Sequence, residues 1–411
     1  MNTSKTYATA VAFLGMLIPL PSGNPAEMTP ERSYKPVPQF LDNALVWLAS
    51  AQFENGGWGA GSHSAQNIRD PHAVQVDPAT TAFAAMAFLR SGSTLKSGPY
   101  AKNIARALEN LVAMAEAAPE EGANITTLTG TQPQAKMGQN VDVTLCAQFF
   151  SRVLPHVGHD AKLKKRVAGT LDKCLRKIER GQSNDGSWAG GGWAGVLQSA
   201  MANSALEAAQ VAGAPVSEDV LERSRNYQKS NVDAKTGEVR TERSAGISLY
   251  SITSNQRATA GEARDAERRL EEAKTGGLVS KNATVSKENL VKAGVPEEDA
   301  AKLADAYDQN KAAQEMLKDD RVMAGFGNNG GEEYLSYMMT AESMVITRDS
   351  EYHTWYEQMS RRLEKIQNGN GSWSGHHCIT SPVFCTAAVI MTLTADRDAE
   401  LLVKEQTKRG S

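Results

Sequence analysis

One spacing pattern, Gln followed by three residues, Gly, one residue and Trp, occurs three times in this chain of 411 residues. The copies are QFENGGW at 52–58, QSNDGSW at 182–188 and QNGNGSW at 367–373. Three copies of one spacing indicate an internal repeat, in which each unit buries its apolar face against its neighbours. Glycine permits a tight turn, tryptophan packs over it, and glutamine bonds backbone at a helix end, so we interpret the repeat residues as structural. These residues are Gln52, Trp58, Gln182, Trp188, Gln367 and Trp373.

Each copy lies between two kinds of helical segment. The preceding segments, such as KLKKRVAGTLDKCLRKIER, are amphipathic, whereas the following ones, such as VLQSAMANSALEAAQVAG, are Ala-rich and almost uncharged. Since a helix that is apolar all round is buried, the unit is an outer helix, a Gly-rich turn and an inner helix. The segments between the copies are long enough for three further units that have lost the motif, which makes six pairs of outer and inner helices. The sequence therefore predicts an all-α fold, an (α/α)6 toroid over residues 34–398.

Two further segments differ in amino-acid composition from the repeats. Residues 258–320 are rich in Ala and charged residues, and we expect a charged helical insertion of two or three exposed helices. This insertion is either an elaborated outer helix or an arm that binds a protein partner. Residues 399–411 are expected to form a polar C-terminal tail.

The N-terminus has the pattern of a secretory signal peptide over residues 1–26. Lys5 precedes an apolar run from Ala8 to Leu20, which Pro21 ends. This run is too short to span a bilayer but suits the core of a signal peptide. We expect export to a bacterial periplasm or beyond, and the alternative is an apolar helix packed on the fold. No later stretch reaches eighteen apolar residues, so no transmembrane span is expected in the mature chain.

Charge balance excludes one class of partner. Lys and Arg number 44 against 47 Asp and Glu, for a net charge of −3, so the chain lacks the basic excess that binds nucleic acid. Aromatic residues make up 6% of the chain. This low fraction argues against a cavity that stabilises carbocations on aromatic faces.

The repeats resemble those of the superfamily that contains squalene–hopene cyclases, oxidosqualene cyclases and protein-prenyltransferase β-subunits. The resemblance covers most of residues 38–395 and implies an α/α toroid with a central cavity. Its functional motifs are not matched: the Asp-x-Asp-Asp of class II cyclases does not occur, and the Asp-Cys-Thr-Ala-Glu of oxidosqualene cyclases has its nearest counterpart in Met338-Met339-Thr340-Ala341-Glu342. Methionine cannot donate the proton that this chemistry requires. The zinc triad of prenyltransferases also has no counterpart at the start of an inner helix.

In a toroid the inner helices run parallel, so their N-termini meet at one end of the ring, which we call the mouth. Their free N–H groups favour a polar or anionic ligand there, in or over the central cavity. We expect an unidentified small molecule or protein to bind there. The candidate binding residues are His63, His72, Asp77, Asp142, Glu332, Tyr334, Tyr337, His376, His377 and Cys378.

Four of these candidates have side chains suited to general acid–base catalysis: Asp77, Asp142, Glu332 and His377. No cofactor is expected with certainty, but His377 and Cys378 are also candidate zinc ligands. Each has a structural alternative. The acids would serve as helix caps, His377 as a core residue, and Cys378 with Cys385 as small core residues or a disulfide.

Three functions fit the sequence, and it leaves open whether the protein is an enzyme. The first is a non-catalytic toroid that binds a ligand or partner at the mouth. The second is an enzyme acting on an isoprenoid, as the resemblance implies. The third is a polysaccharide lyase or glycosidase, because these enzymes also use α/α toroids and paired carboxylates. The missing acids favour the first function.

Overall fold

The computed structural model describes residues 37–158, 160–188, 191–327 and 329–407. The predicted signal peptide lies outside these residues. Within them the structure is all-α, as predicted, with two isolated β-bridges and no strand. The helices are α1 (Gln39–Ser50), α2 (Pro78–Arg90), α3 (Ala101–Ala117), α4 (Gln132–Lys136), α5 (Val141–Val153), α6 (Ala161–Gly181), α7 (Gly195–Val211), α8 (Glu218–Lys229), α9 (Ser248–Thr275), α10 (Lys287–Lys292), α11 (Glu297–Met316), α12 (Asp320–Met323), α13 (Gly331–Thr347), α14 (Tyr352–Lys365), α15 (Pro382–Leu393) and α16 (Ala399–Thr407).

The helices fall into two classes of burial. In α2, α5, α13 and α15 every residue is buried, and in α7 all but the last are. They include the three Ala-rich segments that follow the repeat motifs, α2, α7 and α15, and a helix that is apolar on every side is buried. By contrast, α1, α3, α6 and α14 bury one face only, because charged residues occupy the other. The predicted division into inner and outer helices is therefore present.

The inner helices contact one another in cyclic order. Helix α2 packs against α5, α5 against α7, α7 against α9, α9 against α13 and α13 against α15. Helix α15 then returns to α2. The outer helices pack mainly on the preceding inner helix, as α3 does on α2, α6 on α5 and α11 on α9.

The repeat glutamines and tryptophans make the same contacts in all three copies. Each glutamine amide donates to the glycine carbonyl of its own turn and to a carbonyl of the next outer helix: Gln52 to Gly56 and Asn103, Gln182 to Gly186 and Val220, and Gln367 to Gly371 and Phe40. Each indole N–H donates to a carbonyl near the end of the preceding outer helix, at Leu48, Ile178 and Leu363. The motif thus joins an outer helix, a turn and the next outer helix.

The segment 258–320 differs from the predicted exposed insertion. It begins inside α9, whose residues 258–263 are buried, so this first part continues an inner helix. Most of the remainder is α11, which packs along α9 in the position of an outer helix. The high charge of the segment misled the prediction, because α9 is buried without a break from residue 249 to residue 263 and is exposed to solvent only beyond that stretch.

The expectation of a polar C-terminal tail is wrong for residues 399–407. These residues form α16, in which Leu402, Glu405 and Gln406 are buried. Helix α16 packs against α7, α9 and α13. Its polar side chains meet charged partners inside the protein, and composition alone could not reveal those partners.

Candidate functional site at the inner-helix N-termini

Asp77 is the buried N-cap of α2, and Asp142 is a buried acid in the first turn of the neighbouring inner helix α5. Asp77 accepts hydrogen bonds from the backbone N–H of Ala60 at 2.7 Å and of Thr80 at 2.8 Å. Asp142 accepts from the Gln134 amide at 2.7 Å. Burial raises the pKa of Asp77 to about 6, and burial together with the nearby Asp77 charge raises the pKa of Asp142 to about 7. Both side chains are fully buried, and Asp77 makes the capping bond that was the structural alternative in the sequence.

Glu332 and Glu333 form a second buried pair, at the start of α13. Glu332 accepts from the backbone N–H of Ile379 at 3.2 Å, and burial together with the charge of Glu333 raises its pKa to about 8. Burial and the neighbouring charge therefore favour the protonated form of Glu332. Glu333 accepts from the hydroxyl of Tyr250 at 2.5 Å and from the N–H of Gly330 at 2.7 Å. The pair ties the starts of α9, α13 and α15 together.

Cys378 lies close to this pair. It is half-buried and has a left-handed backbone, with φ of 58°. The Lys136 ammonium lies beside the thiol and is itself placed over the indole of Trp193, 4.2 Å from the ring centroid. Burial and the charge of Glu332 raise the pKa of Cys378 to about 11, so the group is a neutral thiol at physiological pH.

His377 lies on the other side of Cys378. Its imidazole Nε2 is 3.8 Å from Glu333 Oε2, and its ring packs on Phe326 at a centroid distance of 4.9 Å. The neighbouring His376 is exposed. Trp193 and Phe326 are 62% and 58% exposed, which is unusual for aromatic residues of this size. We call the group Lys136, Trp193, Phe326, His377 and Cys378 the mouth surface.

Loops from three parts of the chain are joined beneath the mouth surface. The Arg69 guanidinium donates to the carbonyl of Gly375 at 2.8 Å. The Gln132 side-chain oxygen accepts from the N–H of Thr380 at 2.7 Å, and the Thr380 hydroxyl donates to the carbonyl of Gln66 at 2.8 Å. These bonds place the first and sixth turns side by side, as expected, and fix the backbone that carries His377 and Cys378.

Four other candidates lie outside this group. His63 bonds Gln66 at 2.9 Å near the joined loops, whereas His72 bonds the carbonyl of Ser50 and packs on Phe53 at the end of α1. The rings of Tyr334 and Tyr337 are buried in the core, 6.2 Å apart. The Tyr337 hydroxyl donates to the carbonyl of Met323, so this residue anchors a loop.

A separate buried charge network lies deeper among the inner helices. Arg90, the last residue of α2, donates to Glu342 at 2.6 Å and to Asp398 at 2.9 Å. Arg257 of α9 donates to the other Glu342 oxygen at 2.8 Å. Burial opposes ionisation of Glu342, but the two arginines outweigh it and lower its pKa to about 2. Glu342 is thus a paired carboxylate.

Helix α16 completes this network from the C-terminus. Arg152 of α5 donates to Asp398 at 2.7 Å and lies 3.1 Å from Glu405. Burial raises the pKa of Glu405 to about 7, although Arg152 and Arg257 oppose the shift. No pattern in the sequence predicted this network. Its signal was the presence of single charged residues inside otherwise apolar helices, where an unpaired charge is too costly to persist.

Several residues of the mouth surface were also missed. Lys136, Trp193, Phe326 and the supporting Tyr250 lie in segments that the repeat pattern does not cover. Within the described residues, no three His, Cys, Asp or Glu side chains are grouped as metal ligands, and zinc at His377 and Cys378 stays a prediction. No described helix is both long and apolar enough to cross a membrane.

No family model matches the chain, and no curated protein is significantly similar to it. Function is therefore argued from the geometry of the mouth surface.

Proposed function

We propose that this chain is an (α/α)6 toroid related to the cyclase and prenyltransferase repeat proteins, and that it binds a ligand or partner at its mouth. The toroid is supported by the cyclic order of inner-helix contacts. It is further supported by the bond from Gln367 to Phe40, which joins the last repeat to the first outer helix. The relationship is supported by the repeat motif and its shared contacts.

The observation that carries the binding function is the exposure of Trp193 and Phe326 on the mouth surface. Each ring packs on a polar member of the surface, Trp193 under Lys136 and Phe326 against His377. Aromatic rings held rigidly beside charged or polar groups are the side chains that contribute most to binding at interfaces. The bonds from Arg69 to Gly375 and from Thr380 to Gln132 hold the backbone that carries His377 and Cys378, which lowers the entropy lost on binding at these two residues.

The buried acids argue against the two catalytic alternatives. Cyclisation of an isoprenoid needs a protonated acid facing a cavity, whereas the arginines keep Glu342 ionised and occupied. Cleavage of a polysaccharide needs two carboxyl groups that reach the substrate. Asp77 and Asp142 are fully buried, and their oxygens accept hydrogen bonds from helix starts and from Gln134.

Site-specific crosslinking in the organism of origin tests the binding function. A photoreactive phenylalanine analogue is placed at Trp193 or at Phe326, and the irradiated protein is analysed by gel and by intact mass. The matched controls carry the same group at Leu278 and Val46, which are 61% and 57% exposed away from the mouth surface. We expect a discrete adduct, of protein or small-molecule mass, from positions 193 and 326 only. Equal labelling at all four positions, or none at any, would contradict the proposal.

Export is part of the same proposal and is tested separately. We expect the protein to be recovered from the periplasm or medium with the signal peptide removed near residue 26. Cell fractionation with N-terminal sequencing gives the answer, and an intact N-terminus in the cytoplasm would exclude export.

A further inference from the structure

A half-open cavity lies away from the mouth surface, between outer helices α11 and α14. Its volume of about 460 Å³ falls within the range of small-molecule sites. Three of its lining residues, Met323, Met344 and Met359, are buried, and Trp355 is half-buried. The lining residues that are exposed are all polar or charged. The cavity therefore has an apolar inner part and a polar opening.

The charged residues of the opening differ in whether they are paired. Lys318 lies 2.8 Å from Glu315 and 3.5 Å from Glu351, so these three charges are satisfied by one another. Arg362 and Asp320 also line the cavity, and neither has an ion-pair partner in the part of the chain that the structure describes. Both are exposed. One cation and one anion are thus open to a ligand at the same cavity.

The helices that carry these two charges are linked through a buried tyrosine. The Arg362 guanidinium carbon on α14 lies 5.5 Å from the ring centroid of Tyr337. The Tyr337 hydroxyl donates at 3.1 Å to the carbonyl of Met323, and Met323 ends the short helix α12 that begins at Asp320. A guanidinium that already stacks on a ring loses less conformational freedom when it binds a carboxylate.

Two opposite charges beside an apolar surface restrict the ligands that fit. An uncharged ligand would displace water from Arg362 and Asp320 without replacing its hydrogen bonds, and a singly charged ligand would pair with one of them only. A ligand that carries both charges replaces the water at both positions with charge-assisted hydrogen bonds. Its apolar part then covers the methionines, whose flexible thioethers adapt to its shape.

We propose that this cavity binds an amphipathic zwitterion, either an amino acid with a large apolar side chain or a short apolar peptide. Its carboxylate pairs with Arg362, its ammonium group pairs with Asp320, and its apolar body packs against Met344 and Trp355. None of these residues belongs to the mouth surface, so the site is independent of the function proposed above.

The test is isothermal titration calorimetry of the full-length protein with a matched set of phenylalanine derivatives. L-phenylalanine and the dipeptide L-phenylalanyl-L-phenylalanine carry both charges, and comparing them distinguishes an amino-acid site from a peptide site. Phenylalaninamide lacks the carboxylate, N-acetylphenylalanine lacks the ammonium group, and N-acetylphenylalaninamide lacks both. We expect one site per chain for a zwitterion and a loss of affinity of about fivefold or more for each charge removed.

Two exposed substitutions assign each charge to its partner. Arg362→Gln should weaken zwitterion binding about fivefold and leave phenylalaninamide unaffected, so that the amino acid and its amide bind alike. Asp320→Asn should likewise remove the discrimination against N-acetylphenylalanine. Arg361→Gln is the matched control, because Arg361 is the neighbouring exposed arginine, pairs with Glu357 and does not line the cavity.

Circular dichroism of each variant establishes that it is folded, and the comparison of ligands on the unaltered protein stays decisive if one variant does not fold. Selective binding of either zwitterion, weakened by both substitutions and not by Arg361→Gln, would support the proposal. It would be overturned if neither zwitterion bound saturably, if N-acetylphenylalaninamide bound equally well, or if both substitutions left the affinity unchanged.

Discussion

Two glycines show how tightly single residues are constrained in the repeat. Gly56 and Gly186 have φ of 88° and 85°, and a Cβ at either position would overlap the backbone carbonyl of Arg106 or Arg223 on the next outer helix. The glycine therefore serves two purposes, a left-handed turn and a close approach between hairpins. This is the physical reason why the residue between the glutamine and the tryptophan of the motif is Gly in all three copies.

Gly186→Ala should lower the free energy of unfolding far more than Gly213→Ala does. Both glycines have positive φ, but a Cβ at Gly213 meets nothing within 4 Å. Left-handed backbone alone costs about 1–2 kcal/mol, and overpacking against a carbonyl adds about 1–3 kcal/mol. Urea unfolding of the two variants measures the difference in free energy of unfolding. If both variants lose the same free energy of unfolding, the close approach of the two hairpins at Gly186 contributes nothing to stability, which would contradict this prediction.

Among the helices, α16 depends most on its surroundings. Its sequence AELLVKEQT has a short apolar run and would be marginal alone, since isolated helices of this length are unstable in water. In the structure, Glu405 pairs with Arg152, and Gln406 donates to Glu207 at 2.6 Å. The helix is thus held by charged and polar partners from the inner helices as well as by Leu402.

Leu402→Asp should destabilise the protein by about 3–5 kcal/mol, because it removes a buried side chain and adds an unpaired charge beside the network. Leu402 is fully buried, whereas Lys404 on the same helix is exposed. The control Lys404→Asp should change stability by less than about 0.5 kcal/mol. Thermal unfolding of both variants is the measurement. Similar melting temperatures would mean that α16 contributes little to the stability of the fold.

The protein as a whole carries an unusual set of buried acids. Burial raises the pKa of Asp77 to about 6, of Asp142 and Glu405 to about 7, and of Glu332 to about 8. A carboxyl group whose pKa is raised by folding binds its proton more tightly in the folded state. Stability that depends on these groups is therefore present at low pH and is lost as pH rises through the folded values.

We expect stability to fall between pH 5 and pH 8, by at most about 1.4 kcal/mol per pH unit for each group that titrates. Glu342 has the opposite effect, because its pKa is lowered from 4.5 to about 2, so the stability that it contributes is lost as pH falls from one value to the other. Chemical unfolding across this range checks the slope. The double variant Glu332→Gln with Glu405→Gln should flatten it, and a wild-type stability that rises over the range would refute the assignment.

Helix class and repeat architecture could be predicted because both depend on local patterns. The Ala-rich, almost uncharged composition of α7 and α15 predicts that these helices are buried. The motif that ends at Trp188 predicts a turn. The mouth was predicted in part. His377, Cys378 and Glu332 were selected because helix starts favour polar groups, but His72 and Tyr334 were selected by the same rule and lie elsewhere. Position along a helix does not determine which way a side chain points.

By itself, the sequence determined the all-α class, the inner and outer helices and the role of the repeat turn, because each depends on residues within a few positions of one another. Tertiary contacts decided that Glu342 is an ionised partner of Arg90 and Arg257, that α16 is buried, and that Trp193 and Phe326 flank Cys378. Arg90 and Glu342 are more than 250 positions apart. No local pattern encodes such a pair, because its energy arises only when folding removes both charges from water together.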